Sequence, residues 1–118
     1  MTTGSGAAVE GTMPTYILMT KLSSQVHSDP RGRKAVGKEW KKLVDRACPR
    51  VRWIAHYALL GQYDFMDVYE APDDATAHKV SLLSLTQGAV SAESWPALPY
   101  DEFLKIAESV EVAGLKKH

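Results

Sequence analysis

The segment RVRWIAHYALLGQYDFMDVYEA, residues 50–71, decides the fold, because it predicts two strands joined by a short turn. Its first half, Arg50–Leu60, is rich in the branched and aromatic residues that favour strands. Its second half, Tyr63–Ala71, alternates between two sets of side chains, as a strand with two different faces does. The connecting LGQYD is short, so the two strands should form an antiparallel hairpin.

The segments on either side of this hairpin alternate between strand and helix patterns. Pro14–Leu22 and Ala89–Pro99 are predicted strands, and Pro96 moves the second toward a sheet edge, since proline cannot donate a ladder hydrogen bond. A helix capped by Asp29 follows the first strand, and an acidic run after the hairpin begins another helix that ends at Gly88. The order is that of the ferredoxin-like βαββαβ fold, an α+β fold with a four-stranded antiparallel sheet and both helices on one face.

Aromatic residues on the face without helices predict that this face is covered too. The simplest cover is a second copy of the chain, so we expect a homodimer. Two sheets packed face to face would form a dimeric α+β barrel, and the cavity between them could hold a small molecule.

The length and composition are those of one soluble globular domain: 118 residues, 45% hydrophobic and 24% charged. We expect a flexible tail at residues 1–12, a folded domain at 13–110, ending in a short helix, and a C-terminal tail at 111–118. No apolar run approaches the roughly 18 residues of a membrane span. No secretory signal is expected, and Cys48 is the single cysteine, so a cytoplasmic protein is predicted.

Charge is unevenly distributed along the chain, although the net charge is zero. Residues 31–52 carry nine Lys or Arg against two acids, a balance of +7, and residues 63–102 carry eight acids against Lys79, a balance of −7. The basic segment could be a patch for anions or nucleic acid. The interpretation we favour is the solvated face of a basic helix, because no aromatic residues interleave the basic ones. We expect no nucleic-acid partner.

The hairpin also contains a candidate catalytic pair. If Gly61 and Gln62 form a two-residue loop, His56 lies opposite Asp67, with Cβ atoms about 4.5–5.5 Å apart. An imidazole oriented by a carboxylate is a suitable general base. The alternatives are a purely structural pair, or a one-residue shift of the turn that separates the two onto different faces.

Aromatic residues on the predicted strands could line a pocket for a planar ligand, or belong to the core or a dimer interface. The candidates are Tyr16, Tyr57, Phe65, Tyr69 and Trp95. If Tyr57 lies on the face opposite His56, only one of them can point into a given cavity. Trp40 is expected to pack between helix and sheet, and Gly37 to mark a loose helix start.

No metal or other cofactor is expected. The four histidines show no close ligand spacing, and Cys48 is isolated. The sequence contains no phosphate loop and no dinucleotide fingerprint.

Three stretches carry a resemblance to a known family: MPTYILMTKLSSQ, HYALLGQYDFMDVYEAPDDATA and AVSAES. They resemble the GYD-domain family, named after a Gly-x-Tyr-Asp turn that matches Gly61, Tyr63 and Asp64 here. We assign this turn a structural role, in which Gly61 supplies a positive φ and Asp64 accepts backbone N–H bonds. Asp67 and the Trp95-Pro96 pair depart from the family's common pattern.

The resemblance implies a ferredoxin-like fold related to the dimeric α+β barrels. That wider group includes cofactor-free monooxygenases, isomerases, cyclases and simple binding proteins. We therefore expect a protein that binds a small aromatic or polyketide-like molecule. One hypothesis is a cofactor-independent acid–base enzyme, an isomerase, cyclase or monooxygenase, that uses His56 and Asp67. The alternative is a non-catalytic ligand-binding or assembly module.

Overall fold

The computed structural model describes residues 13–116, which form four strands and four helices. In chain order these are β1 (Thr15–Leu22), α1 (Ser24–His27), α2 (Arg33–Ala47), β2 (Arg52–Ala58), β3 (Phe65–Glu70), α3 (Asp74–Thr86), β4 (Ala89–Ala97) and α4 (Tyr100–Lys116). The predicted N-terminal tail lies outside the described residues.

The four strands form one sheet in the order β2-β3-β1-β4, and every neighbouring pair is antiparallel. With α2 and α3 packed on the same face, this arrangement confirms the predicted ferredoxin-like α+β fold. β4, which contains Pro96, lies at an edge of the sheet, where a residue without an N–H is tolerated.

The core lies between the sheet and these two helices. Tyr16 and Leu18 of β1 and Tyr69 of β3 point toward the helices and are at most 2% exposed. The two tyrosine rings stack with their centroids 5.5 Å apart. Val44 of α2 and Val80 of α3 complete the centre. Burying an apolar side chain of this size contributes about 1.5–3 kcal/mol, so this layer holds both helices against the sheet.

Asp64 attaches the end of the β2–β3 hairpin to β1. Its backbone carbonyl accepts a hydrogen bond from Leu59 N at 2.9 Å, and its own N–H donates to the carbonyl of Thr20 at 2.8 Å. Its carboxylate Oδ2 accepts from Leu22 N at 2.7 Å. A one-residue slip of a strand turns every side chain to the other face. These three bonds therefore help to determine which residues face the helices.

Strand β2 contains one extra residue, Ile54, at a β-bulge. Trp53 pairs with Tyr69, whereas Ala55 pairs with the residue directly before Tyr69. Because facing residues in a sheet share a side, the bulge reverses the alternation beyond it. Trp53 and His56 consequently lie on the same face, although they are three positions apart.

The start of the first long helix differs from the prediction. Asp29, expected to cap the helix, accepts a hydrogen bond from Arg31 N at 2.8 Å within a turn. The helix begins at Arg33, after Gly32, whose φ of 86° favours glycine. The short helix Ser24–His27 was not predicted.

The end of α3 is where the sequence placed it. Gln87 is the C-cap, and Gly88 follows it with a φ of 101°. A Cβ at position 88 would lie 2.2 Å from Cγ2 of Val26 in α1. Glycine therefore allows α1 to pack against this turn.

The C-terminal segment is helical as far as Lys116, so residues 111–116, expected to be a tail, belong to α4. None of the side chains from Tyr100 to Val112 is buried. Phe103, Ile106 and Val110 are about half exposed or more, and their spacing places them on one side of the helix. Across residues 13–116, no helix combines the length and the apolar character needed to span a membrane.

Candidate functional site

His56 of β2 lies opposite Asp67 of β3, as the predicted hairpin register requires. His56 Nδ1 is 2.6 Å from Asp67 Oδ1. The imidazole also stacks on the ring of Phe65, with the centroids 5.3 Å apart. The Asp67 side chain is 6% exposed and that of His56 is 60% exposed. The pair therefore connects the interior of the domain with its surface.

The carboxyl group of Asp67 is in an unusual environment for an acid. Burial raises the pKa of Asp67 above its ordinary value of 3.8, and the charge and hydrogen bond of His56 act in the opposite direction. Because Asp67 engages Nδ1, Nε2 is the ring nitrogen left for a ligand. Nε2 accepts a hydrogen bond when the ring is neutral and donates one when the ring is protonated. The pair can thus serve as an oriented base or as a polar anchor.

An open cleft with a volume of about 710 Å³ lies between α2 and the sheet, and the His56–Asp67 pair forms part of its wall. This volume is within the range of about 300–1,000 Å³ that is usual for small-molecule sites. The apolar and small lining residues are Leu22, Val26, Val36, Gly37, Trp40, Trp53, Ile54, Ala55, Phe65 and Ala89. The polar lining residues are Thr20, Arg33, Lys34, Lys38, Lys41, His56, Asp67, Ser84 and Gln87.

Two residues one turn apart on α2 explain the shape of the cleft. Trp40 packs toward the sheet: its indole N–H donates to Ser84 Oγ at 2.9 Å, and its ring lies 5.1 Å from that of Trp53. Gly37 has no side chain, and a Cβ built there would meet nothing within 4 Å. The same helix is therefore packed on the sheet at Trp40 and stands clear of it at Gly37.

The structure separates the five aromatic residues predicted to line one ligand pocket. Of these, Phe65 lines the cleft. Tyr16 and Tyr69 are buried in the core, and burial raises the pKa of both phenols, that of Tyr69 to about 12. Tyr57 and Trp95 lie on the opposite face of the sheet, which carries no helices. The predicted set of ligand residues is thus divided among three environments.

The sequence interpretation missed Gly37 as a residue of the site. A glycine in a helix interior costs about 1 kcal/mol relative to alanine, so its presence in α2 was the signal that could have located the cleft. Trp40 packs between helix and sheet as expected, but it also lines the cleft.

The helix-free face of the sheet, here called the open face, carries an apolar patch. Its members are Ile17, Met19, Ala55, Tyr57, Met66, Val68 and Trp95. Tyr57 is 54% exposed and Trp95 is 43% exposed. Tyr63, from the turn, reaches across this face, where its hydroxyl donates to Glu93 at 3.1 Å and its ring meets Trp95 edge-on.

The turn residues contact β1 and β4. Gly61 has a φ of 155°. Tyr63 and Asp64 make the contacts with β4 and β1 described above. Within residues 13–116, no group of three or more His, Cys, Asp or Glu side chains is placed to hold a metal ion.

These features define the class of the protein: a small ferredoxin-like domain with an apolar open face and a cleft containing a His–Asp pair. The chain belongs to the GYD domain family, whose model matches residues 16–107. The family resemblance inferred from the sequence is therefore confirmed.

A curated relative comes from Thermus thermophilus and is named "Glutamine synthetase and cystathionine beta-lyase binding protein". It is 31% identical to this chain over 96 residues, which cover 78% of this chain and 96% of the relative. No solved structure matches the chain.

The raised pKa of Asp67 predicts the pH dependence of an Asp67→Asn variant. The folded state holds the Asp67 proton more tightly than the unfolded state, so wild type loses stability as pH rises from 3.8 through the folded pKa. Asparagine does not titrate. The free energy of unfolding of the variant minus that of wild type should therefore increase with pH in this window, as measured by urea denaturation from pH 3.5 to 7.

Asp45→Asn is the matched control with the opposite sign. The Lys41 ammonium bonded to Asp45 holds the pKa of that carboxyl below its ordinary value. For Asp45→Asn, the free energy of unfolding of the variant minus that of wild type should therefore decrease as pH rises. A difference that stays flat or falls with pH for Asp67→Asn would contradict the prediction.

Proposed function

We propose that this protein is a homodimeric binding module that holds a small, largely apolar molecule in the cleft between α2 and the sheet. The observation that carries the proposal is the cleft itself, about 710 Å³ in volume and lined by Trp40, Trp53 and Phe65. A pocket lined mainly by aromatic and apolar side chains, with a few polar groups, is characteristic of small-molecule binding sites. One of the polar groups here is Nε2 of His56, oriented by Asp67.

The catalytic role assigned to His56 and Asp67 from the sequence remains a prediction of the same site. Once a ligand is identified, His56→Gln separates the two roles. Loss of turnover with retained binding assigns acid–base catalysis, whereas weaker binding of a ligand that is never converted assigns an anchor.

Replacement of Gly37 tests the cleft. Gly37→Phe should fill the free space and weaken binding of a neutral aromatic probe, 1-naphthalenemethanol, by more than about tenfold, since the ring and the probe compete for one volume. Quenching of tryptophan fluorescence reports binding, because Trp40 and Trp53 line the cleft.

Gly37→Ala is the matched control. It adds one methyl group where nothing lies within 4 Å, so it should keep most of the binding and stabilise α2 by up to about 1 kcal/mol. Equal probe affinity for the wild type, Gly37→Ala and Gly37→Phe would overturn the proposed site, as would no binding to the wild type.

The homodimer in this proposal forms through the open face. The rings of Tyr57 and Trp95 are exposed on the two edge strands of this face, and α2 and α3 lie on the other side of the sheet. A second copy of the same face supplies a complementary apolar surface under two-fold symmetry.

The dimer is tested by introducing charge into the open face. Wild type should sediment at micromolar concentration as two chains of 13.0 kDa each, and a Tyr57→Arg/Trp95→Arg variant as one chain, because burying unpaired charge disfavours the interface. Leu82→Arg, at a 61% exposed position on α3, should remain dimeric. A wild-type mass of one chain would refute the dimer.

A second binding function is favoured by α4 and by the relative's name. The relative is named for binding glutamine synthetase and cystathionine β-lyase. In this chain, Phe103, Ile106 and Val110 form an exposed apolar stripe on α4, which is the kind of surface that docks into a partner's groove. We propose that α4 binds one of these two enzymes.

This proposal is tested with purified glutamine synthetase and cystathionine β-lyase from the organism that encodes this chain. Each enzyme is immobilised for biolayer interferometry. An Ile106→Ser/Val110→Ser variant should bind at least about tenfold more weakly than wild type, since truncating central apolar anchors removes most of the interface energy. Glu108→Gln, on the side of α4 opposite the stripe, should bind as wild type does. Binding that is absent from wild type, or unchanged in the double variant, would exclude α4 as the docking element.

A further inference from the structure

We infer that the cleft ligand is an amphipathic anion, an apolar body carrying one carboxylate or phosphate group that lies against the α2 side of the cleft. The inference rests on the proposed small-molecule function of the cleft and adds the chemical class of its ligand. It follows from the charged side chains that line the cleft, because a purely apolar ligand would make no ion pair with them.

The charges around the cleft are strongly unbalanced. Four cationic side chains line it, Arg33, Lys34, Lys38 and Lys41, and all four belong to α2. The single acidic lining residue is Asp67, whose carboxylate is buried and already bonded to His56. A cleft with four cations on one wall and a single carboxylate within attracts anions.

Three of these four cations have no acidic partner among the described residues, and two of the three are lysines. Lys41 is paired with Asp45 at 2.6 Å, and Arg33 contacts the ring of His27 at 2.9 Å. Lys34 and Lys38 have no carboxylate within 4.0 Å in the part of the chain from residue 13 to 116. Their ammonium groups remain available to an anion.

The spacing of the two lysines places them side by side. Positions 34 and 38 are four apart on α2, so their side chains leave the same face of the helix. Like charges at this spacing repel each other and destabilise a helix by about 0.2–0.5 kcal/mol. One anionic group held between them removes this repulsion while it makes two ion pairs.

The rest of the ligand is defined by the space next to the lysines. Gly37, one turn after Lys34 on α2, leaves the helix surface bare, and the rings of Trp53 and Phe65 lie across the cleft on the sheet. A planar or branched apolar body fits this position, with its anionic end at the exposed lysines. A lysine ammonium group attracts an anion without requiring a particular arrangement of the anion's oxygens. A ligand with a carboxylate and one with a phosphate would therefore be recognised in the same way.

The class of ligand is tested with three probes that share one ring system: 1-naphthoate, 1-naphthyl phosphate and neutral 1-naphthalenemethanol. Affinities are measured by isothermal titration calorimetry on the full chain at low and high salt. At low salt, wild type should bind at least one of the two anions at least about fivefold more tightly than the alcohol, and added salt should remove this advantage. The order of the two anions distinguishes a carboxylate ligand from a phosphate ligand.

The matched variants assign the effect to the two lysines. Lys34→Gln/Lys38→Gln should lose the preference for the anions, about fivefold in affinity, and bind the alcohol as wild type does. Lys42→Gln removes an exposed cation of the same helix that does not line the cleft, and should change neither affinity. Circular dichroism confirms that each variant is folded.

Equal wild-type affinity for the anions and the alcohol would overturn the inference and leave the proposed cleft standing. If Lys42→Gln loses as much affinity for the anions as the double variant does, the inference is also overturned. The preference for anions would then come from the overall positive charge of α2 and not from Lys34 and Lys38. If wild type binds none of the three probes, the proposed function fails and the inference falls with it.

Discussion

The position of Asp64 at the end of the hairpin is the constraint on which the site depends. Its carboxylate and both its backbone groups are bonded, to Leu22, Thr20 and Leu59, so the start of β3 is tied to β1 and β2 at once. From this fixed point the period of two along β3 directs Phe65, Asp67 and Tyr69 toward the helices. A register shifted by one residue would send Asp67 to the open face and a methionine into the core.

Much of the fold was predictable because its signals are local. Strand composition, the short turn and the acidic start of α3 gave the order of elements, and the loop length gave the pairing of His56 with Asp67. The face on which that pair lies was not predictable. It depends on the register of β3 on β1, in which Asp67 lies opposite the buried Leu18. The bulge at Ile54 then brings Trp53 onto the same face as His56. The cleft likewise depends on the distance between α2 and the sheet, which no single segment encodes.

The two faces of the sheet are suited to different tasks. The helix face is tightly packed around Tyr16 and Tyr69 and opens at Gly37, where there is room for a molecule of limited size. The open face carries apolar side chains from all four strands, which suits a surface of similar extent. The aromatic residues that looked like one group in the sequence thus serve packing, the cleft and the open face separately.

The exposure of α4 has a consequence for how this protein would hold a partner. A helix of 17 residues is only marginally stable in water when it packs on nothing, because most helical stability in proteins comes from a buried apolar side. The ordering of α4 and its association with another surface therefore form a single equilibrium. Part of the contact energy is spent on ordering the helix, so the resulting complex is weaker for its area than one between rigid surfaces. A complex of this kind dissociates more readily than one of equal area between rigid surfaces.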